Sequence, residues 1–432
     1  MKVKKIALVS SSIFPLFVIG FVFVQSLFVW INYNDKNSGL LAVICITALI
    51  FYYLGVFLGG GILPRFKVKA SKKNLGKSRL VIHIFITINI ILFIYYGQIP
   101  FFEYLINGKS PLLARRDFSG AFSSGYIEAF YYAKSILLRG VLPFVIVFIA
   151  MHDSTKRYYV YLIILSFLLM STFEKANVFW IYFPLFLLFL LTSDFKKLFH
   201  SFLLFCFSFF IIATIQVSVF VTSIDDNKGD LIFSPQSDII ENGQERSSTK
   251  STDIANTFLK AGFLPETPNY RFYLQYSSSQ LAYLVNRMFW IPYITAYDTI
   301  LYWKFRYDSK HIGASVNRHL AYLFGLNFAD LEREVFRFQY GSGADSTGNA
   351  NAFYGAEAFV AFGIVGVMIF SLIIGLVFSV FIFSYSYEGG LLLFSASFGL
   401  VNASFISMLF SGGLAFSLLV IFIYSKKVRW IK

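Results

Sequence analysis

From Ile6 to Trp30 the chain carries no charged side chain, and apolar runs of this kind recur along most of its length. A helix needs about 20 apolar residues to cross a bilayer core, and in that solvent each backbone N–H and C=O must be satisfied within its own segment. Such runs therefore predict spanning helices near 6–32, 40–63, 80–99, 129–151, 158–174, 176–192, 199–222, 354–384, 390–408 and 411–425. The expected fold is an all-α polytopic membrane protein of about ten transmembrane helices. Composition agrees, because 57% of the residues are hydrophobic and only 14% charged, against about 45–50% apolar in soluble domains. The 54 Phe and 27 Tyr suit spans and interfacial belts.

The opening Met1-Lys-Val-Lys-Lys5 looks like the start of a signal peptide. The apolar run behind it is roughly 25 residues long, whereas the apolar core of a signal peptide is about 7–15, so it reads as an uncleaved first span. Lys2, Lys4 and Lys5 fall on one side with Arg65–Arg79, Lys156, Arg157, Lys196, Lys197 and the tail lysines 426, 427 and 432; short loops on the other side offer only Lys36 and Lys175. The positive-inside rule makes the first side, with both termini, cytoplasmic. It also accounts for the net charge of +14 without a nucleic-acid partner, since the cations are spread over short loops and form no stripe.

Three regions result: 1–222 with the first seven spans and a basic outer loop near 100–128, a large extracytoplasmic loop at 223–353, and 354–432 with the last three spans and a basic tail. Within the large loop, Leu281–Trp303 is strongly aromatic but interrupted by Arg287, Pro292 and Asp298, which predicts helices lying at the interface or dipping in and out of the membrane. Lys134 and Arg139 enter the fourth span from its outer end and predict a polar cavity there.

No P-loop, dinucleotide fingerprint or zinc-protease motif occurs, so the reading names no cofactor and no metal. Cys45 and Cys206 lie in different apolar runs and suggest neither a disulfide framework nor a metal site. The outer segments hold many arginines, among them Arg115, Arg116, Arg139, Arg287, Arg318 and Arg337. Guanidinium groups bind phosphate oxygens two at a time; the plainer reading pairs most of them with the acids of the large loop or with lipid headgroups. Glu357, about one turn inside the eighth span, is a candidate base by position, or a helix-start acid favoured by the dipole. His311 and His319 lack a ligand pattern and read as surface or supporting residues, with His319 a second candidate base. Glu174-Lys175 sits at a tight outer turn as an ion pair or a phosphate contact.

The run Asn351, Phe353, Glu357, Phe359, Phe362, Gly363, Gly366, ahead of a span containing Gly375, resembles bacterial oligosaccharide repeat-unit polymerases of the Wzy type, which build O-antigen or capsule. These enzymes are similar in turn to the GT-C-type membrane glycosyltransferases. An Arg-x10-Gly spacing of the family maps onto Arg337 and Gly348; Lys175 stands where relatives often have Arg. The resemblance implies a metal-independent glycosyltransferase at the outer face of the bacterial inner membrane. Its donor and acceptor would be oligosaccharides linked to undecaprenyl pyrophosphate, and a chain-length regulator and a flippase are candidate partners. No histidine motif of the family aligns onto His319; on physical grounds catalytic roles are expected of Glu357, Arg337 and His319, and substrate contacts of Arg115, Arg116, Arg139, Arg287, Arg318, Lys175, Asn351 and Tyr340. Tyr340, Phe353 and Tyr354 are expected to stack on sugar faces. An O-antigen ligase, or a lipid-linked oligosaccharide flippase or other transporter, are the alternatives.

Overall fold

The computed structural model describes residues 2–62, 66–122, 125–173, 175–226, 289–340, 350, 352–383 and 387–427. It is helical apart from one two-stranded antiparallel pair. In chain order the elements are α1 (Lys2–Val18), a π turn (Ile19–Phe23), α2 (Val24–Tyr33), α3 (Lys36–Ile62), β1 (Phe66–Val68), α4 (Lys72–Tyr96), α5 (Pro100–Asn107), α6 (Pro111–Gly120) and α7 (Tyr126–Ile136). A second π turn (Leu137–Val141) leads into α8 (Leu142–His152), α9 (Thr155–Ser171), α10 (Lys175–Thr192) and α11 (Phe195–Asp226). Then come α12 (Ile291–Arg306), a 3-10 turn (Gly313–Val316), α13 (Arg318–Leu323), α14 (Leu331–Tyr340), α15 (Tyr354–Ile382), α16 (Tyr387–Asn402), α17 (Phe405–Leu409), α18 (Leu414–Tyr424) and β2 (Ser425–Lys427).

Among the described residues seven helices are long and apolar enough to cross a membrane: Val9–Tyr33, Lys36–Ile62, Lys72–Tyr96, Tyr126–His152, Phe195–Ile212, Tyr354–Ile382 and Phe405–Tyr424. Side chains such as Phe57, Ile94 and Phe207 are mostly exposed on their outer surfaces, where lipid is the natural neighbour. Three further apolar stretches of the sequence form α9, α10 and α16, which are shorter. The ninth span expected at 390–408 ends instead at Asn402, and the last candidate span begins with α17 at Phe405. Ser404 makes that break: its hydroxyl accepts the Ser407 N–H at 3.1 Å and starts α17.

The bundle has two distinct ends. At one, β1 pairs with β2, Arg79 grips Asp153 through two bonds of 2.8 and 2.9 Å, and Asn74 donates to the Tyr424 carbonyl. The basic short loops gather here, so the last described residues lie on the same side as the basic connection of residues 65–79. The opposite end carries α5, α6, α12, α13 and α14. There Lys109 bridges Glu103 at 3.2 Å and Asp117 at 2.9 Å, and Lys304 reaches Asn37 at 2.6 Å. Of the aromatic segment expected at the interface, residues 281–288 lie outside the described residues; the rest forms α12, whose residues from Pro292 to Ile300 are buried against the spans. Tyr293 and Tyr297 tie it to the α2–α3 turn through Ser38 at 2.8 Å and Asp35 at 3.3 Å.

Close packing fixes α15 against α3. A Cβ on Gly55 would come within 2.9 Å of Gly375 Cα, and Gly59 faces Ser379 one turn further on. Lipid gives no hydrophobic drive to associate, so spans hold together by such backbone approach, and small residues four apart are its signature. A second close approach joins Gly140, in the π turn of the fourth span, to Gly413. The widened turn frees the Gly140 carbonyl, and Ser417 of α18 donates to it at 2.6 Å.

Candidate active site

Near its N-terminal end α15 is broken. Phe362 leaves helical geometry and Gly363 takes φ +66°, so Tyr354–Ala361 is a separate short helix set on top of the rest. A glycine belongs there for two reasons: a side chain at that φ is strained, and a Cβ would meet His311 Nε2 at 2.9 Å. The break frees the Val360 carbonyl, which accepts the Ile312 N–H at 3.2 Å. His311 lies beside it, stacked on Trp303 with ring centres 5.3 Å apart. The chain from α12 to α13 thus clasps the broken end and holds the short helix in place.

That short helix carries Glu357 in its first turn. The half-buried carboxylate lines a cavity of about 180 Å³ whose polar wall includes Asn317, Arg318, Asp330, Glu332 and Ser404. The Ser404 hydroxyl is within hydrogen-bond reach of Glu357, and Glu332 is close enough to repel it. Burial, with Asp330 beside it, pushes the Glu332 carboxyl up to about 7. Phe328, Ile406 and Phe410 form the apolar wall. The volume is below the ~300 Å³ where ligand pockets ordinarily begin, so it suits the reacting end of a larger molecule.

Of the residues singled out in the sequence, Glu357 and Arg318 are brought together here. Arg337 is exposed near the end of α14, the helix whose first residues line the cavity. Arg115 and Arg116 are exposed on α6, Arg116 being 3.8 Å from Asp117. Arg139 is half-buried in the fourth span, 6.0 Å from the Trp180 ring centre. Lys134 is buried with its ammonium over the Phe118 and Tyr131 rings at 5.5 and 5.4 Å, so aromatic faces surround it. None of Arg115, Arg116, Arg139 or Arg337 lines the cavity. Arg287, Asn351, Gly348 and Glu174, and the side chains of Lys175, His319 and Tyr340, lie outside the described residues.

Phe353 and Tyr354, expected to stack on sugars, are instead buried in the core, with Tyr354 bonded to Ser371 at 2.8 Å. Their apolar faces are used up by packing against each other and the spans. Glu332, Asp330 and Ser404 were not singled out by sequence. The first two stand among many acids of one polar loop, and Ser404 sits inside an apolar run, where only the Asn402-Ala-Ser404 interruption hints at a break. Among the described residues no three His, Cys, Asp or Glu side chains gather as a metal-ligand group.

No protein-family model, no curated protein and no solved structure matches this chain. The fold is that of an all-helical, multi-pass membrane protein with seven candidate spans among the described residues.

Proposed function

We propose that this chain is a bacterial inner-membrane glycosyltransferase of the repeat-unit polymerase kind, with about ten spans in a GT-C-like arrangement and cytoplasmic termini. The observation that carries the reading is the shared cavity of Glu357, Glu332 and Arg318 at the end of the bundle away from the basic loops. On the positive-inside rule that end is extracytoplasmic. Cytosolic nucleotides are absent there, so an activated sugar must arrive already attached to a lipid.

In the proposed reaction, a sugar hydroxyl of a lipid-linked repeat unit attacks the anomeric carbon of a glycan held on undecaprenyl pyrophosphate. The glycosidic C–O bond forms as the bond to the pyrophosphate breaks. Glu357 takes the hydroxyl proton, and the electron pair leaves on the pyrophosphate, whose charge Arg318 steadies. Glu332, poised near neutrality, passes the proton on to solvent. Arg337 extends the positive wall along α14. Arg115, Arg116 and Arg139 stand on other elements and are assigned to drawing the anionic donor in before its diphosphate reaches Arg318.

Purified protein in liposomes, given synthetic lipid-linked repeat units, is expected to produce a gel ladder of evenly spaced products. A single transfer to a lipid A-core acceptor with no ladder supports the ligase reading instead. A transporter reading draws on the two interrupted spans near the cavity, at Phe362–Gly363 and at Phe410–Gly413, because broken helices commonly form transport sites. Movement of a labelled lipid-linked glycan across the bilayer, without any new glycosidic bond, would favour it.

A further inference from the structure

His319 to Ala329 form a stretch without Asp, Glu, Lys or Arg, lodged in the otherwise charged region between α12 and α14. It folds as α13 and a tight reversal. Gly325 takes φ +63°, its N–H returns to Tyr322 O at 3.2 Å, and the Leu326 N–H returns to Ala321 O at 2.8 Å. This crossed pair is the glycine-ended helix stop in which both orphan carbonyls are satisfied. Ala321 is buried, and the Ala329 N–H is pinned to Ser315 O at 2.8 Å. The base of the turn is therefore fixed, and its tip projects.

The tip is apolar and uncovered. Tyr322 is 89% exposed, Leu323 72% and Phe324 64%, with Leu326 and Phe328 following. A contiguous apolar projection of this kind marks an interaction site. Two features point to the bilayer as its partner. Phe328 shares the cavity's apolar wall with Phe410, which is itself exposed on the last candidate span, so the tip stands beside the apolar surface of a candidate span. Arg318, at the foot of the tip, has its guanidinium 5.3 Å from the Phe328 ring centre, a cation set at headgroup height above apolar residues as in interfacial anchors.

We infer that Tyr322–Phe328 is a membrane anchor whose side chains sit in the leaflet on the Glu357 side, and that the cavity mouth between Phe328 and Phe410 opens towards lipid. The anchor does not depend on the transferase reading. Each can be overturned while the other stands.

The test places a single environment-sensitive fluorophore on Leu323→Cys or Phe324→Cys, in a background carrying Cys45→Ala and Cys206→Ser, with the protein in phospholipid nanodiscs. If that background fails to fold, a genetically encoded fluorescent amino acid at 323 in the otherwise native chain gives the same readout. Insertion of an apolar tip by roughly 5–10 Å predicts that lipids brominated in the upper acyl chain remove more than half of the emission, while aqueous iodide removes little. A label at exposed Lys310 should show the opposite pattern. Strong quenching by iodide without a bromolipid effect would put the tip in water and overturn the anchor. Protection from both quenchers would mean that protein covers it, and would overturn it equally.

Discussion

Between Val367 and Ile382, α15 is packed against α3 so closely that Gly55 and Gly375 leave no room for a Cβ, whereas between Tyr354 and Ala361 the same helix lines a polar cavity. The lower part is a dry seam of glycine, serine and apolar side chains. The upper part is cut off by the break at Gly363, held by the chain around His311, and carries the partly exposed carboxylate of Glu357. One helix thus supplies both a rigid support and a separately positioned polar end. A charged group in a span is costly unless it faces a polar space, and the break lets the acid turn to the cavity without disturbing the seam.

The contrast is broken most severely from below. Gly375→Val forces a branched side chain into the Tyr52 and Gly55 backbones, where backbone cannot yield; overpacking costs about 1–3 kcal/mol or more, and loss of monodisperse protein on size-exclusion chromatography is expected. Next comes Glu332→Gln. The Glu332 carboxyl is raised from 4.5 to about 7, so the folded chain binds that proton more tightly than the unfolded one. Stability therefore falls as pH rises from about 4.5 to 7 and stays level above. The variant should lose this slope and, at pH 8, unfold later than the wild type by an amount on the order of 3 kcal/mol at most; equal pH slopes in the two proteins would contradict the assignment.

Gly363→Ala comes third. Strain at positive φ costs about 1–2 kcal/mol, and the added methyl group meets His311, so a lower melting temperature is expected together with reduced activity. A matching change at Gly61, where a Cβ meets nothing, should leave both unaltered. Ser404→Ala is the mildest. It removes one hydroxyl near Glu357 and the cap of α17, worth about 0.5–2 kcal/mol, and should be seen as a small drop in melting temperature.

The multi-pass helical fold was legible in the sequence because a bilayer leaves helices as the only solution for long apolar runs; the glycine seam between α3 and α15 was not, because Gly55 and Gly375 become neighbours only when two distant spans pack. Glu357 was legible for a related reason, since one acid stands out at the start of such a run. The break beside it was not. Phe362-Gly363 sits in an unbroken apolar stretch, and glycine in spans is too common to mark a kink. Ser404 was missed because the turn before α17 uses no proline or glycine. Glu332 becomes distinctive only when folding removes it from water and sets it near Glu357. Phe353 and Tyr354 show the reverse error: aromatic residues next to an acid suggest a sugar platform, but the core takes them.

The claim that Glu357 removes the acceptor proton is tested most directly by Glu357→Gln, which keeps the shape and loses the base. Purified variant and wild type, matched for melting temperature, would be given the same lipid-linked repeat units. A fall in the rate of ladder formation of about 10²–10⁴-fold is predicted. A ladder formed at the wild-type rate would contradict the account.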